Sequence, residues 1–89
     1  MENKETATPR RILELIKEAF NHYKKKRLTI EQLEEFLVKR HGMTTKKARE
    51  LWFKAYKKDK VIVGLAYVNG KLERVIELKT EEDEYEILG

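Results

Sequence analysis

Residues 28–62, LTIEQLEEFLVKRHGMTTKKARELWFKAYKKDKVI, decide the fold because they encode two short helices joined by a tight turn. Thr29 and Gln32 form the T-x-x-Q pattern of a capping box, which predicts the start of one helix. Gly42 stands where that helix needs a residue with a left-handed backbone in order to end. One residue later Thr44, a favoured N-cap, predicts the start of the next helix. Two helices joined in this way form a helix-turn-helix.

A further amphipathic helix is predicted before this unit. Thr8 is a favoured N-cap, and Pro9 suits the first helical position, where its missing N–H costs nothing. Apolar residues then recur at helical spacing until the basic run KKKR at residues 24–27. The three predicted helices cover about residues 9–26, 30–41 and 45–58.

A β-hairpin is predicted after the third helix. Asn69 and Gly70 are the strongest short-range signal for a two-residue type I′ turn, because both tolerate positive φ. This turn sets the register of two strands, at about residues 61–68 and 71–78. One face of the hairpin is apolar except at Arg74, so we expect that face to pack on the helices. Residues 27–29, RLT, can add a short first strand.

The resulting order of elements is that of a winged helix. Residues 28–62 resemble the helix-turn-helix core of winged-helix DNA-binding proteins, both in the GMT turn at residues 42–44 and in four apolar positions. Those positions are Leu33, Leu37, Ala48 and Leu51. The resemblance covers about residues 8–78 and implies an α+β fold, a three-helix winged helix-turn-helix with a C-terminal β-hairpin wing. It is a pattern of residue types, and many functions share this fold.

Composition excludes several classes of chemistry. A chain of 89 residues is expected to form one domain. The sequence has neither cysteine nor serine, which removes disulfides, thiolate metal sites and Cys or Ser nucleophiles. No apolar run reaches the roughly 20 residues that span a bilayer, and no secretory signal opens the chain. We therefore expect a cytoplasmic protein without membrane contact, and the high Lys, Glu and Arg content favours a thermophilic source.

Charge is distributed unevenly along the chain. Residues 1–60 hold 17 basic and 9 acidic side chains, whereas residues 61–89 hold 3 basic and 7 acidic ones. This split predicts a basic body that faces a polyanion, followed by an acidic tail. The predicted units are a flexible N-terminus (residues 1–7), a winged-helix domain (8–79) and the acidic tail (80–89). The tail can be disordered, fold back on the basic face as a DNA mimic, or dock on a partner through its apolar end.

The third helix carries the strongest functional signal. At 100° per residue its inward side is apolar, and its outward half is basic. Arg49 suits a bidentate pair with guanine, the lysines suit phosphates, and the free N–H groups behind Thr44 favour a phosphate. The predicted nucleic-acid contacts here are Thr44, Lys46, Lys47, Arg49, Lys54 and Lys57. The competing interpretation is a solvated face on a lysine-rich protein.

Secondary nucleic-acid contacts are predicted outside this helix. Lys25, Lys26 and Arg27 can clamp a phosphate, although cations also stabilise a helix C-terminus. Lys71 in the wing can approach the DNA backbone.

Several other side chains have structural interpretations. Phe53 and Tyr56 are expected to be buried against the domain's own elements, although Phe53 can also meet a thymine methyl or a partner. His41 is expected to cap helix carbonyls. Glu31, Glu34 and Glu35 have ordinary surface spacing, and together with His22 they suggest neither a metal site nor a catalytic base.

Together these features predict a sequence-specific double-stranded DNA-binding protein, a small transcriptional regulator located with the nucleoid. Dimerisation is expected through the stripe of helix one, which extends to Leu13 and Phe20, or through the tail, unless that stripe is used entirely inside the monomer. The alternative is a protein-interaction module of a larger DNA-processing complex, with the basic face on an acidic partner and Phe53 as an anchor. RNA is less favoured, since no aromatic stacking platform is evident. We expect no enzymatic activity, cofactor or metal.

Overall fold

The computed structural model describes residues 8–79, which form three helices and a three-stranded antiparallel sheet. The helices are α1 (Pro9–Tyr23), α2 (Ile30–His41) and α3 (Thr45–Lys57), and the strands are β1 (Arg27–Thr29), β2 (Val61–Val68) and β3 (Lys71–Leu78). In the sheet the order is β1-β3-β2, so β2 is an edge strand. This α+β architecture is compatible with a winged-helix layout. The predicted N-terminal segment and acidic tail lie outside the described residues.

The predicted capping signals are confirmed at α2 and α3. The Thr29 hydroxyl accepts a 3.0 Å hydrogen bond from the Gln32 amide, while the Gln32 side chain accepts one from the Thr29 amide. Thr44 caps α3 by accepting from the Lys47 amide at 3.0 Å. Between these helices Gly42 adopts φ 68°, the left-handed conformation that ends α2. These local bonds set the tight turn of the helix-turn-helix.

The predicted end of α1 is wrong by three residues. The helix ends at Tyr23, because Lys24 turns into the left-handed region with φ 56°. The Lys24 amide donates to the Phe20 carbonyl at 2.8 Å, which closes the last turn. Lys25 and Lys26 therefore lie in a connecting loop. The third helix ends at Lys57, one residue before the predicted position.

The predicted hairpin register is confirmed from one end to the other. Val61 pairs with Leu78 at the base, and Val68 pairs with Lys71 next to the turn. The turn residues have the expected positive φ, 54° at Asn69 and 81° at Gly70. The short first strand also forms, and β1 pairs with the base of β3.

The core lies between the three helices and the base of the sheet. It contains most of the apolar stripe of α1, in which Ile16 and Ala19 are fully buried and Phe20 is 5% exposed, whereas Leu13 is partly exposed and lies outside the core cluster. Except at Leu13, the stripe that we expected to serve as a dimer surface is therefore covered inside the monomer. The sheet contributes Leu28, Val61 and Ile76 to the same cluster.

The prediction that a whole face of the hairpin packs on the helices is wrong for its outer half. Val61 and Ile76 are buried, but Leu65, Tyr67 and Leu72 on the same face are 66%, 77% and 57% exposed. Strands of eight residues rise about 3.3 Å per residue and extend past the helices that cover their base. The outer hairpin therefore projects beyond the helices, and this projecting part is called the wing.

Candidate nucleic-acid interface

Helix α3 is held in one orientation by its apolar side. Ala48, Leu51, Trp52 and Ala55 are all buried in the core, as their helical spacing predicts. Because residues three and four apart share a side of a helix, burial of these positions turns the basic positions outward. The exposed residues on α3 and at its N-cap include all six predicted contacts: Thr44, Lys46, Lys47, Arg49, Lys54 and Lys57.

The α3 lysines differ from most charged groups on the other helices. On α2 the Lys39 ammonium lies 2.8 Å from Glu35, and the Arg40 guanidinium lies 3.6 Å from Glu18 of α1. On α3, by contrast, four lysines have no described carboxylate within 4.0 Å. These are Lys46, Lys47, Lys54 and Lys57. Their charges are therefore directed to solvent or to a ligand.

The Glu34 carboxylate is the centre of a polar cluster that joins α2 to α3. Glu34 is 7% exposed and accepts a 2.8 Å hydrogen bond from the buried Trp52 indole. It also accepts two bonds from Arg49, at 3.1 Å from Nε and 3.2 Å from Nη2. Burial alone raises the pKa of Glu34, but the bonds from Arg49 and Trp52 and the charges of Arg49 and Arg74 outweigh it. The pKa of Glu34 therefore lies below its ordinary value, and the carboxylate is charged at neutral pH.

The prediction that Glu34 is an ordinary surface acid is wrong. The sequence does contain a signal, since Glu34 lies four residues after Ile30 and three before Leu37, which places it beside the apolar stripe of α2. A charged residue at such a position needs a partner, and Trp52 and Arg49 supply the donors.

Arg49, the predicted base-reading residue, is oriented by this cluster. Two of the five N–H donors of a guanidinium are taken by Glu34, which leaves three. The side chain is 57% exposed, so the remaining donors are accessible from outside. The nearby carboxylate also raises the pKa of Arg49. The guanidinium is therefore fixed in position while part of its hydrogen-bonding edge stays open.

The prediction that Phe53 and Tyr56 are buried is wrong. They are 47% and 48% exposed, and their ring centroids are 6.2 Å apart. The Lys57 ammonium lies 5.5 Å from the Phe53 centroid, a cation–π contact. Trp52 is the aromatic residue of α3 that packs into the core, and the rings of Phe53 and Tyr56 lie outside the buried side of the helix. The basic face thus includes an aromatic pair.

The secondary candidates lie in separate elements. Arg27 belongs to β1, and its guanidinium is paired with Glu77 of β3 at 2.8 Å. Lys25 and Lys26 are exposed in the loop after α1, and Lys71 is exposed at the tip of the wing. Arg27 is thus engaged within the sheet.

Sequence reasoning missed two basic residues that follow α3. Lys58 and Lys60 line a groove of about 490 Å³ together with Lys54, Lys57 and the apolar side chains of α1. The apolar residues that line this groove include Ile12 and Leu13. The run KKDK at residues 57–60 was the available signal. Positive charge therefore continues beyond the last turn of the helix.

The histidines have structural partners. His41 Nε2 lies 2.9 Å from a Glu18 carboxylate oxygen, a contact with α1 in place of the expected helix-capping bond. His22 stacks at the edge of Tyr23. In residues 8–79 no group of three or more His, Asp or Glu side chains is arranged to hold a metal ion.

Comparisons of the chain with models of protein families, with curated proteins and with solved structures found no match. None of the helices within residues 8–79 has the length and apolar character required to cross a membrane. Function is therefore inferred from the geometry and charge of the chain itself.

Proposed function

We propose that this chain is a winged-helix protein that binds double-stranded DNA, with α3 in the major groove, and that it acts as a small transcriptional regulator. The observation that carries the proposal is the set of unpaired lysines on an outward-facing α3. The helix carries five basic residues and the single acid Glu50. It also follows a tight turn from α2, as a recognition helix does in helix-turn-helix proteins.

A solvated surface accounts less well for this pattern. Where α1 and α2 carry surface charge, several basic residues pair with carboxylates three or four positions away, as Arg11 does with Glu14 and Lys39 with Glu35. Such pairs are typical of helices that need only be soluble. An excess of unpaired lysines on one helix face raises the local positive potential and favours a polyanion instead.

The parts of this face have distinct roles in the proposal. The N-terminus of α3, behind the Thr44 cap, favours a phosphate through its free N–H groups and the helix dipole. The lysines bind further phosphates and position the helix. Arg49 reads guanine with the donors that Glu34 leaves open, and Glu34 acts as a positioning residue.

Salt dependence of DNA binding tests the proposal. We expect fluorescence anisotropy with a labelled duplex to give an affinity that falls steeply between about 50 and 300 mM salt, because each phosphate contact contributes about −0.9 to the slope of log K against log salt. Lys46→Ala/Lys47→Ala should reduce that slope by about two such contacts. Lys17→Ala/Lys39→Ala removes the same charge from α1 and α2 and should change the slope less. No binding at low salt, or equal losses in both double variants, would refute the proposal.

Base reading by Arg49 can be tested separately. Arg49→Lys keeps the charge but loses the planar fork, so affinity for random duplex should persist while preference among selected sequences falls. Selection from a randomised duplex library with the wild-type protein supplies those sequences. An unchanged preference in the variant would remove Arg49 from base reading and leave DNA binding intact.

The exposed aromatic pair favours a second candidate, a protein-interaction module that places the same basic face on an acidic partner. Phe53 is 47% exposed beside Tyr56 and Lys57, an arrangement that suits an anchor at a protein interface. On this alternative, duplex DNA shows no steep salt slope, and Phe53→Ala weakens capture of the partner more than Lys46→Ala/Lys47→Ala does.

A further inference from the structure

Strand β2 is an edge strand with an unusual composition. Its eight residues, VIVGLAYV, include no charged residue and no proline, in a chain that is 40% charged. Its neighbour β3 carries Lys71, Glu73, Arg74 and Glu77 within the same length. Soluble proteins normally protect an exposed edge with charges, proline or a covering segment, because unpaired N–H and C=O groups pair readily with another chain. The composition of β2 offers no such protection.

The free hydrogen-bonding groups of this edge can be assigned from the register. In a two-residue hairpin the residues that flank the turn, Val68 and Lys71, form a hydrogen-bonded pair, and such pairs alternate along the ladder. Val61, Val63, Leu65 and Tyr67 therefore direct their N–H and C=O groups away from β3. Within residues 8–79 none of these groups has a hydrogen-bond partner.

Apolar side chains are exposed on both faces of the same strand. Ile62 is 44% exposed on one face, while Leu65 and Tyr67 are 66% and 77% exposed on the other. Lone exposed apolar residues are ordinary, but here three of them lie along one uncharged edge. A partner strand would cover both faces at once.

Neither the backbone conformation nor the packing of the monomer requires a glycine at position 64, the middle of this strand. Its φ is not positive, and a Cβ built there would meet nothing within 4 Å. Glycine inside a strand lowers stability, and it often marks a bulge or the close approach of another backbone. The β2–β3 register is unbroken through the Gly64–Val75 pair, which excludes a bulge. The open space at Gly64 leaves room for the close approach of another backbone.

We propose that β2 pairs antiparallel with β2 of a second copy of this chain, about a two-fold axis at Gly64. The outward groups of Val63 and Leu65 then take part in hydrogen-bonded pairs across the axis. Val61 has the same orientation, but it is only 2% exposed and lies at the covered base of the strand. The side-chain pairs along the accessible part of the strand are apolar: Val63 with Leu65 of the second copy, and Ile62 with Ala66 of the second copy. The two glycines meet at the axis, where paired Cα atoms approach most closely.

The uncharged, self-complementary sequence of β2 fits a second copy as the occupant. Residues 8–79 contain 19 basic and 9 acidic side chains, so two copies repel each other through most of their surfaces. A two-fold axis also places like residues near one another, and a charged strand would meet its own charge there. Because β2 has no charge, it can pair with itself without that penalty. The inference does not depend on DNA binding.

Proline substitution on the two opposite edges of the wing tests the edge pairing in the full chain. Sedimentation of the wild type should show a concentration-dependent dimer. Leu65→Pro removes an outward N–H of β2 in each copy and should weaken the dimer at least about tenfold. Leu72→Pro is the matched control. It makes the same substitution on the same face of the hairpin, at a position that is 57% exposed, but the N–H that it removes lies on the opposite edge, which β3 forms. Circular dichroism and a urea titration check that both variants fold.

Cysteine cross-linking tests the position of the axis, since the chain has no cysteine of its own. Opposed residues of a non-hydrogen-bonded pair have Cα atoms about 4.5 Å apart, which is within disulfide range. Gly64→Cys should therefore form a covalent dimer under mild oxidation. Ala66→Cys places a cysteine on the same face of the strand as Gly64→Cys. In the proposed dimer the two cysteines at position 66 are four residues apart along the strand, about 13 Å, so they should not form a disulfide.

The outcomes are decisive in both directions. A dimer that is lost in Leu65→Pro, kept in Leu72→Pro and trapped by Gly64→Cys supports the inference. If the wild-type protein is monomeric at about 200 µM, the inference is overturned, because β2 then does not pair with a second copy even at high concentration. A dimer that survives Leu65→Pro, or one trapped by Ala66→Cys and not by Gly64→Cys, also overturns it and places the contact elsewhere.

Discussion

Replacement of Glu34 by alanine should destabilise the fold more than any other substitution of a carboxylate in residues 8–79. Glu34→Ala leaves the indole N–H of Trp52 without its acceptor, and Trp52 is only 5% exposed. A buried donor that loses its partner costs about 1–3 kcal/mol. The Arg49 bonds add little to this sum, because that side chain is 57% exposed and solvent screens it. In a domain of this size each kcal/mol lowers the melting temperature by about 4–8 °C.

Two further variants test whether the loss of stability in Glu34→Ala comes from the unpaired Trp52 N–H. Glu34→Gln keeps an oxygen that can accept from Trp52 and should retain most of the stability that alanine loses. Trp52→Phe removes the donor, so Glu34→Ala made in that background should cost much less than in the wild type. Urea midpoints with an unchanged m-value measure each step. Equal stability of wild type and Glu34→Ala would show that the cluster contributes nothing, and the reasoning would fail.

The same carboxylate predicts a dependence on pH. Its pKa in the folded protein is below the ordinary value of 4.5, so the folded state favours the charged form more than the unfolded state does. That stabilisation is fully present above pH 4.5 and is lost as the pH falls through the folded pKa. The stability difference between wild type and Glu34→Gln should therefore narrow in acid. A gap that widened on acidification would contradict this sign.

Three further substitutions have matched comparisons or a known backbone cause. Thr44→Ala removes the N-cap of α3 and should cost about 1 kcal/mol, whereas Thr45→Ala, one residue inside the helix, should be nearly neutral in thermal unfolding. Phe36→Ala, at a position 4% exposed, should cost about 3–5 kcal/mol, and Phe53→Ala, at 47% exposed, much less, as urea unfolding can measure. Gly42→Ala should cost about 1 kcal/mol because φ there is 68°, and unaltered urea midpoints would contradict this.

Most of the framework follows from short-range signals. Caps at Thr29 and Thr44 and the turn at Asn69 and Gly70 act over a few residues, so the sequence predicts them without knowledge of the tertiary fold. The turn also sets the hairpin register, because a shift by one residue would reverse both faces. The end of α1 could not be predicted in this way, since the left-handed residue that ends it is Lys24, where glycine would be usual.

Exposure and polar partners were harder to predict than secondary structure. Alternation showed which face of the hairpin is apolar, but it could not show that the helices cover only the base, so the exposure of Leu65 and Tyr67 was missed. The candidate lysines of α3 were placed correctly on its outer side. Arg49 was placed there too, but its contact with Glu34 connects residues fifteen apart on different helices, and no local pattern encodes that contact.

The geometry of the sheet connects the proposed DNA binding by α3 with the proposed edge pairing of β2. The helices pack on the face that carries Val61 and Ile76. Antiparallel neighbours in one sheet are related by a two-fold axis perpendicular to it, so edge pairing at Gly64 leaves the helix layers of both copies on the same side. Two α3 helices on one side of a continuous sheet can face a single duplex, as dimeric helix-turn-helix proteins do. Stacking of the wings face to face through Leu65 and Tyr67 would instead bring the two helix-bearing faces against each other. Of these two arrangements, edge pairing is the one that puts both helix layers on one side of the sheet, as the proposed binding of both α3 helices to one duplex requires.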